Sequence, residues 1–270
     1  MPSFHTPEPV EAKVEAAAGS VRLVATDRDD TVVQVRPHNQ SRAADVRAAE
    51  QTRVDCHNGR LTVSHARVFP VLRVGAIDID VALPSRSRLQ VSVASADVRA
   101  EGEFGDCQIR VASGNVDVDT VRGNLKAATA SGSITVQAVE GNGSVTAASG
   151  SATIGKLDGE LQFKAASGDL SVERLYGSVR SRTASGSVSI RTAVRGGIST
   201  STGSGAVEVG VAAGTAARLD LVTAAGTVTN LLEPAGGPAE GDDTLLIHAR
   251  TAVGDIDIHR AAPTHSPAGD

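Results

Sequence analysis

Ten glycines follow one another at intervals of nine residues: Gly105, Gly114, Gly123, Gly132, Gly141, Gly150, Gly159, Gly168, Gly177 and Gly186. A chain held to one period over so long a run folds as stacked copies of a unit, each covering the apolar face of the next. The nonapeptides alternate between two kinds. One carries Ala-Ser before its glycine, as in VASGNVDV from Val111, TASGSITV from Thr129, AASGSATI from Ala147, AASGDLSV from Ala165 and TASGSVSI from Thr183. The other has an apolar residue two places before its glycine, at Val121, Val139, Leu157 and Leu175, so the true repeat is 18 residues.

Within each half, apolar and polar residues alternate as in a half-buried strand: Val116 and Val118, Ile134 and Val136, Leu170 and Val172, Val188 and Ile190. Nine is odd and the strand period is two, so the inward set must change parity once per half. The spacing predicts a bend near residues 127–129, with Ala130, Gly132 and Ile134 turned inward. Equivalent positions 18 apart then form columns. Ala94, Ala112, Ala130, Ala148, Ala166 and Ala184 make one, and Ser95, Ser113, Ser131, Ser149, Ser167 and Ser185 the next, read as a structural hydroxyl ladder. A third, Cys107, Leu125, Gly143, Leu161 and Val179, is placed inside, which makes Cys107 a buried structural thiol. The expected fold is all-β, a single-stranded β-solenoid (a flattened β-helix) with 18-residue coils of two strands each, capped by a divergent N-terminal β region.

One structural domain is expected. Residues 1–93 form the divergent first coil and cap, including a looser, partly helical insertion, SRAADVRAAEQTRVD, and the strand AIDIDVALP. Residues 94–260 form the coils, with a loop insertion at 231–243, and residues 261–270 a disordered tail. Aromatic residues are 2% of the chain and Trp is absent, so the core must be built from Val, Ile, Leu, Ala and Gly. A net charge of −5 disfavours nucleic acid, whose binding needs clustered Lys and Arg. The N-terminus, MPSFHTPEPVEAK, has no basic stretch leading into an apolar one, and no run of 18 apolar residues occurs. No membrane span and a cytoplasmic location are expected, with Cys56 and Cys107 as free thiols.

The chemistry-bearing patterns reduce to structure. In the calcium β-roll repeat the residue two after a glycine is a ligating Asp, but here it is Val116, Leu125, Ile134, Ala152, Leu161, Leu170, Val179 or Val188. A hexapeptide β-helix fails as well, because Glu140 stands six residues after Ile134 where an apolar residue is needed. The acid pairs Asp78/Asp80, Asp117/Asp119 and Asp255/Asp257 share outward strand faces and lack a third ligand or a base at usable spacing. The seven histidines, His5, His38, His57, His65, His248, His259 and His265, fall outside the regular coils. No nucleophile elbow and no complete phosphate loop is present, GNGS at Gly141 and GSGAVEV at Gly203 being fragments. No catalytic residue, cofactor site or metal site is assigned. One asymmetry remains. Arg110, Lys126, Lys164, Arg180 and Arg182 gather on one outward face, opposite a face of Ser, Thr, Asp and Asn, and are the candidate partner-binding residues.

The opening PEPVEAKVEAAAGSVRLVATDRDDTVVQVRP, the SGxVxV coils and the closing RTAVGDIDIHR resemble the bacterial β-strand-repeat proteins grouped as "putative adhesins", a domain family of unknown function common in actinobacteria. The resemblance spans about Pro7 to Arg260 and implies a β-solenoid without a known catalytic residue. The expected function is a non-enzymatic binding or scaffold protein, a monomer or small homo-oligomer, whose partner is a protein or surface polymer. The alternatives are a self-assembling, bactofilin-like cytoskeletal or envelope-stress regulatory element and, further off, a polysaccharide-active β-helix enzyme, for which 2% aromatics offer little sugar-stacking surface.

Overall fold

The structure, a computed structural model, describes residues 2–65, 75–233 and 242–262. The described chain is nearly all-β, 71% strand and 4% helix, and its parallel strands wind into a solenoid, as the period predicts. It opens with β1 (Ser3–His5), the long β2 (Glu11–Thr26) and β3 (Asp30–Pro37). A short helix, α1 (Ala43–Gln51), falls within the looser insertion. Then come β4 (Thr52–His57), β5 (Arg60–His65), β6 (Ile77–Pro84) and the long β7 (Arg88–Phe104).

The regular coils follow, two strands to each. They are β8 (Cys107–Ser113) with β9 (Val116–Val121), β10 (Leu125–Ser131) with β11 (Ile134–Val139), and β12 (Gly143–Ser149) with β13 (Ala152–Leu157). Next are β14 (Glu160–Ser167) with β15 (Leu170–Leu175), and β16 (Ser178–Ser185) with β17 (Val188–Ala193). The chain ends in β18 (Gly196–Ser204), β19 (Val207–Val211), β20 (Ala216–Ala225), β21 (Val228–Asn230), β22 (Thr244–Val253) and β23 (Ile256–Arg260).

The 18-residue register is met residue for residue in the coils. Leu125 lies between Cys107 and Gly143, and Ile134 between Val116 and Ala152. The column of Cys107, Leu125, Gly143, Leu161 and Val179 is buried, and Phe104 and Phe163 are the largest fully buried side chains in an otherwise aliphatic core. The expected parity is wrong in one place. Ala130 and its equivalents in the alanine column face solvent together with the serines after them, and the buried residue is the one before, as at Val111, Thr129 and Ala147.

The bend therefore sits at residues 130–133 rather than 127–129, because the glycine makes it. Gly132 has φ 126°, a conformation that costs other residues strain, and a Cβ there would run into the carbonyl oxygen of Gly114 one coil away. A second parity change lies between Val136 and Val139, both buried, where Gln137 drops out of the ladder to β13. Side chains hold both corners. Along one, Asn115, Ser133 and Ser187 each present a backbone N–H to the side chain of Asp97, Asn115 or Asp169 in the preceding coil, at 2.8, 3.2 and 2.7 Å. Along the other, Asn124, Asn142 and Glu160 do the same to Asp106, Asn124 and Asn142.

Both ends depart from the simple winding. From β16 to β18 the offset becomes 19 residues, Ser178 pairing with Gly197. The next rung beyond β18 and β19 is β22 and β23, which in turn carries β20 and β21 on its far side. The chain thus lays down its outermost rung before the one beneath it. At the other end β2 is not the first rung, since it lies between β7 and the rung of β5 and β6. Here antiparallel strands take over, β3 against β6, β4 against β5 and β1 against β3, with α1 packed on β3. The fully buried Asp45 fixes this cap by accepting the backbone N–H groups of Asn39 and Ala76 at 3.2 and 3.0 Å. Of the expected loop insertion at 231–243, residues 234–241 lie outside the described residues, as do residues 263–270 of the expected tail.

Candidate functional site

The five basic residues singled out in the sequence all stand exposed on one face, built from β8, β10, β14 and β16. They occupy two adjacent outward columns. One runs Gln108, Lys126, Ser144, Gln162, Arg180, and the other Arg110, Ala128, Thr146, Lys164, Arg182. The rung of Ser144 and Thr146 divides them into two groups, Arg110 with Lys126 and Lys164 with Arg180 and Arg182. Arg180 approaches Glu160 at 3.4 Å, and among the described residues no ion pair engages the other four.

The second group continues where the sequence offered no cue. Arg180 and Arg182 are followed in register by Ser199 and Ser201 of β18, and these by His248 and Arg250 of β22. Small side chains between long ones leave a cavity of about 580 Å³ across this face. His248 Nδ1 lies 3.0 Å from Asp220 Oδ2, and the Arg250 guanidinium 3.8 Å from the same oxygen. The repeat could not reveal this extension, because β22 stands 49 residues beyond β18 in register, as in Ile247 on Ile198.

Elsewhere on the coils several cations are matched, although Arg174 and Arg195 meet no carboxylate among the described residues. Arg122 sits between Glu103, at 2.6 Å, and Glu140. Hydrogen bonds to those carboxylates push the Arg122 guanidinium up, and the bond from Arg122 holds the Glu103 carboxyl below its ordinary value. Lys156 pairs with Asp158 at 2.8 Å, which raises its ammonium, and Arg191 pairs with Glu173 at 2.6 Å.

The remaining candidates have structural surroundings. Asp78 accepts from Ser20 at 2.7 Å and contacts His38 Nδ1 at 3.0 Å, while Asp80 pairs with Arg36 of β3. Asp119 accepts the N–H of Gly102 and Asp255 that of Thr227, and Asp117 and Asp257 stay on outward strand positions. His259 Nε2 lies 3.3 Å from Glu208, and His57 Nε2 lies 3.3 Å from Asp55. Among the described residues no three His, Cys, Asp or Glu side chains gather closely enough to hold a metal ion. The serine column, Ser95, Ser113, Ser131, Ser149, Ser167 and Ser185, stacks in register with its side chains exposed. Its backbone carbonyls take the bonds, Ser131 accepting from the N–H of Gly114 at 3.2 Å. Cys107 is 2% exposed, and burial followed by the nearby Asp106 charge pushes its thiol up to about 12, so it is no nucleophile at neutral pH.

Fold and face together define a parallel β-solenoid with one basic outward face. A family model described as Toastrack DUF4097 matches residues 11–259, and the chain belongs to that family. Among solved structures, a "putative adhesin" from Bacteroides fragilis is 13% identical, with 95% of each chain covered and a TM-score of 0.45. A "putative lipid binding protein" from Parabacteroides distasonis is 12% identical, with 97% of this chain and 96% of that one covered and a TM-score of 0.49. A "putative adhesin" from Parabacteroides merdae is 11% identical, covering 97% and 95%, with a TM-score of 0.38. No curated protein matches the chain. No helix among the described residues is long and apolar enough to cross a membrane.

Proposed function

We propose that this protein is a non-enzymatic binding or scaffold protein of the cytosol whose basic face docks an anionic protein or surface polymer. The observation that supports this reading is the contrast in pairing. Arg110, Lys126, Lys164 and Arg182 gather in two adjacent columns of one sheet with no ion pair among the described residues, on a chain of net charge −5, whereas Arg122, Lys156 and Arg191 are matched and the unpaired Arg174 and Arg195 stand outside those columns. Unpaired surface charge of one sign steers an oppositely charged partner and sets the rate of encounter. The free thiols Cys56 and Cys107 suit a reducing compartment. Affinity capture from the native host tests the reading, using the wild type and a variant with Arg110, Lys126, Lys164, Arg180 and Arg182 changed to Gln. The variant is expected to lose the captured partner. Recovery of the same proteins with both chains would rule out this face.

A second reading, self-assembly, is favoured by the rung of β20 and β21. Among the described residues each of these strands pairs on one side alone, with β22 and β23, and the exposed large apolar residues Val222, Val228, Leu231, Leu246 and Val253 all belong to this end. Because the other end is covered by antiparallel strands, two copies would meet through these ends and stop at a dimer. Sedimentation velocity decides it. A dimer supports this reading, a filament contradicts the stop, and a monomer at all concentrations removes it.

A further inference from the structure

The C-terminal part of the basic face has the form of a binding site for one particular kind of group. Arg180 and Arg182 on β16 and His248 and Arg250 on β22 mark four corners, and Ser199 and Ser201 on β18 lie between them as a floor. Rungs are about 4.8 Å apart and alternate residues of a strand about 7 Å, so the corners span about 10 by 7 Å. Long, flexible arginines on two sides of such a floor can converge on a single group resting on it. The two serine hydroxyls supply further donors from below.

Charge selects the group. Lys164, Arg180, Arg182 and Arg250 bring four positive charges to this region, and among the described residues the carboxylates in ion-pair contact with them are Glu160 and Asp220, leaving a surplus of two. A carboxylate ligand would neutralise half of that surplus, whereas a phosphate monoester, carrying between one and a half and two negative charges near pH 7, matches it. Guanidinium forks and hydroxyl donors also suit three equivalent phosphoryl oxygens. We propose that this groove binds a dianionic phosphoryl group, held by Arg182 and Arg250 across the Ser199/Ser201 floor. The inference deepens the proposed docking role of the basic face and rests on that reading.

The test measures binding directly. Isothermal titration at constant ionic strength uses inorganic phosphate and glycerol phosphate as soluble probes, and flotation uses vesicles of phosphatidylcholine with or without phosphatidic acid. Arg182→Gln/Arg250→Gln removes the clamp, and Arg110→Gln/Lys126→Gln alters the same face outside the groove. All four residues are exposed, so the folded coils should be unaffected, and equal thermal melts check this. The expected result is saturable phosphoryl binding by the wild type and the Arg110/Lys126 variant, weakened at least about tenfold in the Arg182/Arg250 variant. Binding to the soluble probes identifies a small phosphorylated ligand. Binding to phosphatidic acid vesicles alone, lost in the Arg182/Arg250 variant, identifies a lipid headgroup. Absence of saturable binding to any probe, or equal binding by both variants, overturns the inference. If the captured partner survives that result and is lost on neutralising all five basic residues, the docking role stands without the phosphoryl group.

Discussion

At the scale of single residues, the buried hydroxyls of Thr129, Ser181 and Thr200 have no hydrogen-bond partner among the described residues. Ser181 and Thr200 stand in register on neighbouring coils, 1% and 3% exposed. The same inward column holds Val145 and Phe163, so the surroundings are apolar. A buried hydroxyl left unpaired costs about 1–3 kcal/mol, and Val has the shape of Thr without that group. Thr200→Val is therefore expected to stabilise the protein by about 1 kcal/mol, read as a higher urea midpoint with an unchanged slope. A lower midpoint would show that the hydroxyl is satisfied in solution.

At the scale of elements, β3 is held over β6 by a contact that responds to pH. The bond to Asp78 raises the His38 imidazole above its ordinary 6.5, and the Asp78 charge adds to this. For Asp78 burial acts upward, but the hydrogen bonds from His38 and Ser20 outweigh it and hold the carboxyl below 3.8. A histidine raised in the folded state stabilises fully below 6.5, and that contribution is lost as the pH climbs through the raised value. The carboxylate behaves oppositely, contributing above 3.8 and losing its effect as the pH falls through the lowered value. Thermal melts should thus show the wild type losing an advantage over His38→Gln as the pH rises past 6.5, with the two curves converging at alkaline pH.

The elements also mark what could be read beforehand. Strand identity and register in the coils followed from the columns through Leu125 and Ile134, because small and apolar side chains recurring at a fixed spacing must stack. The bend was misplaced by a few residues, since Ala is equally at home inside or outside and only the φ of Gly132 settles the matter. The basic residues Arg110 to Arg182 were legible because they sit within the period. His248 and Arg250 were not, because periodicity assigns neighbours only while the period lasts, and beyond Gly196 a rung's partner depends on how the chain doubles back.

At the scale of the whole molecule, that doubling back separates the order of the strands in the chain from the order of the rungs in the rod. β22 is flanked by β18 and β20, and β2 by β7 and the rung of β5 and β6, so the last strands and the first long strand are interior rungs, while the short β1 lies in the cap against β3. Repeat proteins ordinarily fray from their chain ends, unit by unit. Here amide hydrogen exchange should run against sequence order, with β22 amides outlasting those of β20 although β20 lies farther from the C-terminus. Faster exchange in β22 would contradict the interleaving. A deletion would meet the same arrangement, for removing Thr244–Val253 takes away the seat of β20 as well and unravels two rungs together.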